Sequence, residues 1–147
     1  LGLVAVKFES MSKPTVDELA AFLKREFPQT KCSIMALGSM SATLRHEIGV
    51  AELRPGGTVA GPVMMALADV ALYIAVLGEI GIVPLAVTTS LSFNFLRKPA
   101  GDKALIGECR LIKLGRTLAV GEVTIYSEGM DEPVAHAVGT YAIPPSR

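Results

Sequence analysis

The stretch Gly61-Pro62-Val63-Met64-Met65-Ala66-Leu67-Ala68-Asp69-Val70-Ala71-Leu72-Tyr73-Ile74-Ala75-Val76-Leu77 decides how this chain folds. Wound as a helix it is apolar on every face, and its one charged residue, Asp69, falls near the middle. Pro62 suits the first turn, where the N–H it lacks would have gone unpartnered, and Gly78 and Gly81 supply a stop. A helix with no polar face has to be enclosed, by protein or by lipid. Crossing a bilayer takes roughly 20 apolar residues. Val63 to Leu77 is shorter, and a carboxylate near its centre is costly in lipid. Protein is the expected surrounding.

Downstream, after Pro84, four strand-like segments follow and no further helix. Val87, Thr89, Leu91, Phe93 and Phe95 share one face of the first, with Thr88, Ser90, Ser92 and Asn94 on the other. Ala104 to Leu114 and Leu118 to Ser127 come next, joined by Gly115-Arg116, which reads as a hairpin. Val134 to Ile143 is the last strand, and Pro144-Pro145 ends it. Upstream, Arg54-Pro55-Gly56-Gly57-Thr58-Val59-Ala60-Gly61-Pro62 is a loop by its turn residues, leading into the helix. Ala42 to Val50 alternates, with Leu44, His46, Ile48 and Val50 on one face and Arg45 and Glu47 on the other, and Lys31 to Leu37 reads as a further strand ended by Gly38-Ser39. Pro14-Thr15 opens a short amphipathic helix through Val16, Leu19, Ala20, Phe22 and Leu23, closed by Phe27-Pro28. Strands this close in sequence pair most simply as antiparallel neighbours. The expected fold is α+β: one soluble domain, Met11 to Arg147, in which a curved antiparallel sheet wraps one long apolar helix. Leu1 to Ser10 lacks a basic stretch and a cleavage site, so it reads as an extension rather than a secretory signal.

Half of the 147 residues are hydrophobic and the mean hydropathy is +0.46, yet no segment reads as a membrane span, so apolar surface should be hidden by self-association, as a homodimer or a dimer of dimers. Fourteen basic residues balance fourteen acidic ones, and no basic run occurs, so neither nucleic acid nor a membrane is an expected partner. Cys32 and Cys109 read as buried free thiols of a reducing cytoplasm. No His/Cys/Asp cluster has metal-ligand spacing, and no phosphate-binding glycine loop is present, so no metal or cofactor is expected.

Asp69 is the residue that stands out chemically. A carboxylate held in an apolar helix is poorly solvated, which makes it a stronger base. The start of the same helix offers free N–H groups and the positive end of its dipole, and Gly61 lets a ligand approach the backbone closely. The alternative is that Asp69 is a buried acid bonded to a neighbouring hydroxyl or backbone group. Arg54 reads as a partner of Glu52 or of a neighbouring subunit, or else as a site residue. His46 and His136 read as ordinary strand residues.

Pro55-Gly56-Gly57-Thr58-Val59-Ala60-Gly61 running into Leu67-Ala68-Asp69, then Thr89 to Arg97, then Leu114-Gly115-Arg116-Thr117-Leu118-Ala119, resembles in order and spacing the hotdog-fold thioesterases, and among them the phenylacetate-pathway (PaaI-like) acyl-CoA thioesterases. The resemblance implies hydrolysis of an acyl-CoA thioester without a separate cofactor. Asp69 would be general base or nucleophile, the Gly61 N–H would polarise the thioester carbonyl, and Thr88 would be the hydroxyl beside the acid. It also implies a site shared across a dimer, the loop of one subunit facing the helix acid of the other. Arg54, Gly57 and Ala60 then belong to the substrate-binding loop, and the cations Arg97, Lys98 and Arg116 are candidates for the CoA phosphates. The chain carries Arg54 where the family often has Asn, and Ala60-Gly61-Pro62 where it commonly has His-Gly-Gly. Two other functions stay open: a non-catalytic acyl-CoA binding module, and a hotdog hydratase or dehydratase, which would want a His paired with the acid.

Overall fold

The strands in chain order are β1 (Cys32–Gly38), β2 (Ser41–His46), β3 (Leu53–Arg54), β4 (Thr58–Val59), β5 (Val87–Phe95), β6 (Leu105–Leu114), β7 (Leu118–Ser127) and β8 (Pro133–Ala142). Six of them form a single sheet in the order β1-β2-β6-β7-β8-β5, every neighbouring pair antiparallel. The two-residue strands β3 and β4 make a small separate ribbon in the glycine-rich loop. Among the described residues the α-helices are α1 (Val16–Glu26) and α2 (Gly61–Ile80). This computed structural model describes residues 12–145, so the extension Leu1 to Ser10 lies outside it.

α1 begins as its sequence asks. Thr15 Oγ1 accepts the Glu18 N–H at 3.1 Å while the Glu18 carboxylate accepts the Thr15 N–H at 2.9 Å, a reciprocal cap. Leu19, Phe22 and Leu23 then face the core. α2 runs beyond the expected end at Leu77. Gly78 does not stop it: a Cβ there would lie 3.0 Å from Leu37 Cδ1, so the glycine serves close contact with β1. The stop is Gly81, whose φ of +98° suits glycine and whose N–H reaches the Leu77 carbonyl at 2.9 Å.

Strand glycines make room for α2. Gly121 on β7 pairs with Gly139 on β8, and a Cβ on either would sit 2.7 or 2.5 Å from the Leu72 side chain. Gly107 on β6 receives Leu67 in the same way, at 3.1 Å. Leu67, Leu72, Ile74 and Leu77 are fully buried, each contributing on the order of 1.5–3 kcal/mol of transfer free energy. The enclosure is uneven along the helix. Every residue from Val70 to Gly78 is buried, whereas Pro62, Met65 and Ala66 in the first two turns are exposed.

Two strand readings are corrected. β2 stops at His46, because its neighbours run out there: His46 faces Cys32, where β1 begins, and Leu105, where β6 begins. Val50, expected on the inner face, lies in a short 3₁₀ turn (Val50–Glu52) and is 89% exposed. In β5 the simple alternation breaks at Thr89. The register against β8 shifts between Thr88 and Ser90, so Thr88 joins Leu91, Phe93 and Phe95 on the face opposite Tyr141, Gly139, Ala137 and Ala135. Such a bulge re-aims a side chain, and here it turns Thr88 towards α2.

Candidate active site

Asp69 projects from the middle of α2 and is half-buried. Thr88 Oγ1 donates to its Oδ1. Tyr141 on β8, the cross-strand neighbour of Thr88, places its hydroxyl 2.9 Å from Oδ1 and 2.9 Å from the Asp69 main-chain oxygen. Burial pushes the Tyr141 phenol well above its ordinary value, so it keeps its proton and stays a donor. Oδ2 has no partner among the described residues, and no partnerless side-chain oxygen there is buried, so this atom reaches open space. Asp69 is therefore not an acid in a purely apolar box. Hydroxyls hold one of its oxygens and leave the other available.

Two cavities meet at Asp69. One, of about 360 Å³, is walled by Phe22, Phe27, Tyr73 and Tyr141, with Glu26 and Gln29 also on its lining. Its rings are in register: Tyr73 lies 6.0 Å from Phe22 and 5.9 Å from Tyr141, the latter pair stacked. The other, of about 390 Å³, runs along α2 past Pro62, Val63 and Ala66 and is closed by Lys31, His46 and Glu52. His46 Nδ1 donates to the Glu47 carbonyl at 2.7 Å, and its Nε2 has no hydrogen-bond partner among the described residues. The Lys31 ammonium and the Gly49 N–H hold buried Glu52 below the usual carboxylate range. Glu52 thus takes Lys31, not Arg54, as its partner. Its main-chain oxygen also accepts the Ala60 N–H at 2.9 Å, fixing the residue before Gly61.

Gly61 opens a third cavity, of about 700 Å³, lined by Arg54, Met65, Phe95, Leu96, Arg97 and Lys98 among others. No partner for the Gly61 N–H occurs among the described residues. A Cβ at this position would come 3.3 Å from the Phe95 ring, so close approach of that ring also favours glycine here. Gly61 and Asp69 are eight residues apart on one helix, a separation of about 12 Å along the axis. One chain cannot bring both to the same carbonyl.

A family profile matches residues 56–134, more than half of the chain, from the glycine-rich loop through the central helix into β8. The chain belongs to the thioesterase superfamily. Among solved structures, a protein of Silicibacter sp. TM1040 proposed to be a thioesterase is 50% identical, with 92% of this chain and 93% of that one covered and a TM-score of 0.82. A variant of the phenylacetic acid degradation protein PaaI from Thermus thermophilus shares the fold at 23% identity and a TM-score of 0.69, covering 84% of this chain and 99% of that one. A thioesterase from Haemophilus influenzae shares it at 19% identity and a TM-score of 0.78, with 92% and 94% covered. No curated protein sequence matches significantly. The fold of this superfamily member is the hotdog fold expected from its sequence.

The structure brings Asp69 and Thr88 together, and separately gathers Arg54, Arg97 and Lys98 around the cavity at Gly61. Gly57 is exposed and Ala60 caps α2. Arg97 is partly committed, donating to the Pro133 carbonyl and lying 3.7 Å from Glu132, whereas Arg54 and Lys98 have no partner among the described residues. Arg116 lies elsewhere. Its hairpin adjoins Leu118, which lines up across the sheet with Ala142 and Val87, while Arg97 follows Phe95 at the opposite end of β5. Cys32 and Cys109 are free, and burial pushes the Cys109 thiol up to about 12. Among the described residues no acidic, His or Cys cluster could hold a metal ion.

Sequence reasoning missed Tyr141 and the position of His46. Tyr141 carried a signal: it is the one hydroxyl-bearing residue in the inward series Ala135, Ala137, Gly139, Tyr141. His46 did not, because only the fold carries the end of β2 to the flank of α2.

Proposed function

We propose that this protein is an acyl-CoA thioesterase that works as a homodimer or a dimer of dimers, with each site shared between two copies. The observation that carries the reading is the state of Asp69: one oxygen held by Thr88 and Tyr141, the other open to a cavity. Oδ2 takes a proton from water as the water oxygen bonds to the thioester carbon. The carbonyl electron pair moves onto oxygen, and the N–H of Gly61 from the second copy stabilises it at the positive end of α2. Collapse breaks the C–S bond, and the leaving sulfur takes the proton back from Asp69, which returns as carboxylate. Free acid and CoA thiol are the products.

A second copy is needed because base and oxyanion donor are about 12 Å apart in one chain. The exposed edge strand β5, with Phe95 at 53% exposure and Leu96 just past its end at 49%, beside the open first turns of α2, supplies a surface for it. Arg54, Arg97 and Lys98 at that rim suit CoA phosphates, and two free thiols suit a reducing cytoplasm. Free-thiol release from a panel of acyl-CoAs, by wild type and Asp69→Asn, tests the reading. Release that Asp69→Asn abolishes supports it; acyl-CoA binding without release points to a binding module.

A further inference from the structure

Tyr141 and Thr88 both reach Asp69, but they are not equivalent. Thr88 Oγ1 donates to Oδ1 and also lies within hydrogen-bonding reach of the Tyr141 hydroxyl, but it has no contact with the Asp69 main chain. The Tyr141 hydroxyl has two acceptors at the same distance, Oδ1 and the Asp69 main-chain oxygen, both at 2.9 Å, and one proton to give. Its ring is 4% exposed and stacked on Tyr73, so the oxygen is held in place while the O–H is free to turn between the two. Which acceptor wins depends on charge. An ionised carboxylate draws a hydroxyl far more strongly than an amide oxygen does. Once Oδ2 carries a proton, Oδ1 becomes an ordinary carbonyl oxygen and loses that advantage.

We propose that Tyr141 is a positioning residue whose hydroxyl donates to Oδ1 of Asp69 while the carboxylate is charged and turns to the Asp69 main-chain oxygen when Oδ2 is protonated. The proposal rests on Asp69 being the base of the reaction above and adds to it. No heavy atom moves and no proton leaves Tyr141, so the balance of the hydrolysis is unchanged. What the hydroxyl does is keep Oδ1 occupied, which directs the incoming proton to Oδ2 and lets the carboxyl group cycle without rotating. The other ionisable groups on the cavities around Asp69 are Glu26 at the end of α1, Lys31 just before β1, His46 on β2, Glu52 in the 3₁₀ turn and Tyr73 on α2. None is within hydrogen-bonding reach of its carboxylate.

The test is Tyr141→Phe, which keeps the ring and removes the oxygen. Turnover should fall about tenfold with KM unchanged, and the acidic limb of the kcat–pH profile should move to higher pH, because a carboxylate that loses a donor holds its proton more tightly. A fall in kcat with an unmoved limb, or no fall at all, would show that Tyr141 only fills space. A readout free of activity is the carbon NMR titration of the Asp69 carboxyl group, identified by its loss in Asp69→Asn: its midpoint should rise in Tyr141→Phe. In the wild-type protein the Tyr141 Cζ resonance should shift with the same midpoint. A Cζ resonance indifferent to that titration overturns the proposal even where Tyr141→Phe does not fold. Wild type that hydrolyses no acyl-CoA defeats the hydrolytic reading, and the two resonances still decide the role of Tyr141.

Discussion

From Val70 to Gly78, α2 is buried at every position, with Leu72 seated between Gly121 and Gly139. In the first two turns of the same helix, equally apolar in sequence, Pro62, Met65 and Ala66 face outwards, and Met65 is 40% exposed. Asp69 sits at the junction. The contrast teaches that an all-round apolar helix need not be wrapped by its own sheet. The second half builds the core of the chain, and the first half is left for something else to cover. A second copy covers it in the reading given above, and the same contact would complete the site.

The two halves should respond differently to truncation. Leu72→Ala removes a fully buried side chain and should cost about 2–5 kcal/mol in urea unfolding at any protein concentration. Met65→Ala should cost only about 0.5 kcal/mol for a dilute single chain, with a larger loss appearing as concentration rises and copies associate. Equal, concentration-independent losses at both positions would remove the distinction.

Next in size is Asp69→Asn at the junction, expected to lower turnover by about two orders of magnitude or more while acyl-CoA binding survives. Near wild-type hydrolysis would leave Asp69 a structural acid. Smaller again is the rim around the open half. Reversing the charge at Arg97 and Lys98 should raise KM for acyl-CoA roughly five-fold, about 1 kcal/mol, and less at high salt. Arg116→Glu measured alone tests whether the hairpin end of the sheet contributes; an unchanged KM would remove it from the phosphate site.

The smallest effect concerns pH. Lys31 and the Gly49 N–H hold Glu52 below the ordinary carboxylate range. Its folded value is thus lower than its unfolded one, so the stability it confers is present above the unfolded value, about 4.3, and fades as pH falls through the folded value. Glu52→Gln should lower the melting temperature at neutral pH and flatten its decline in acid. An identical acid decline in both proteins would assign that instability to other groups, such as Glu79 with Lys13.

Much of the fold was legible because its two periods are clean: alternation in the strands, and an uninterrupted apolar helix marked by Pro62 and one acid. Asp69 could be singled out because nothing else from Gly61 to Leu77 is charged. The rest depended on contacts between distant segments. Thr88 alternates with the polar face of β5 and reaches Asp69 only through the bulge at Thr89. Gly78 looks like a stop in sequence and is a contact for Leu37 in space. β2 ends at His46 because both neighbouring strands begin there, which no local pattern records.

The most direct measurement mixes two inactive proteins. Asp69→Asn lacks the base, and Gly61→Pro lacks the N–H proposed to hold the oxyanion, at the first helical position, where a missing N–H breaks no helical bond and the added ring has to displace Phe95 by a small amount. Melting curves should first show both folded. If each site takes Asp69 from one copy and Gly61 from the other, a mixed dimer contains one intact site. With half of the dimers mixed and one site in two restored, subunit exchange should return about a quarter of wild-type thiol release. A mixture as inactive as its components, with exchange verified by mass spectrometry, would contradict the shared site.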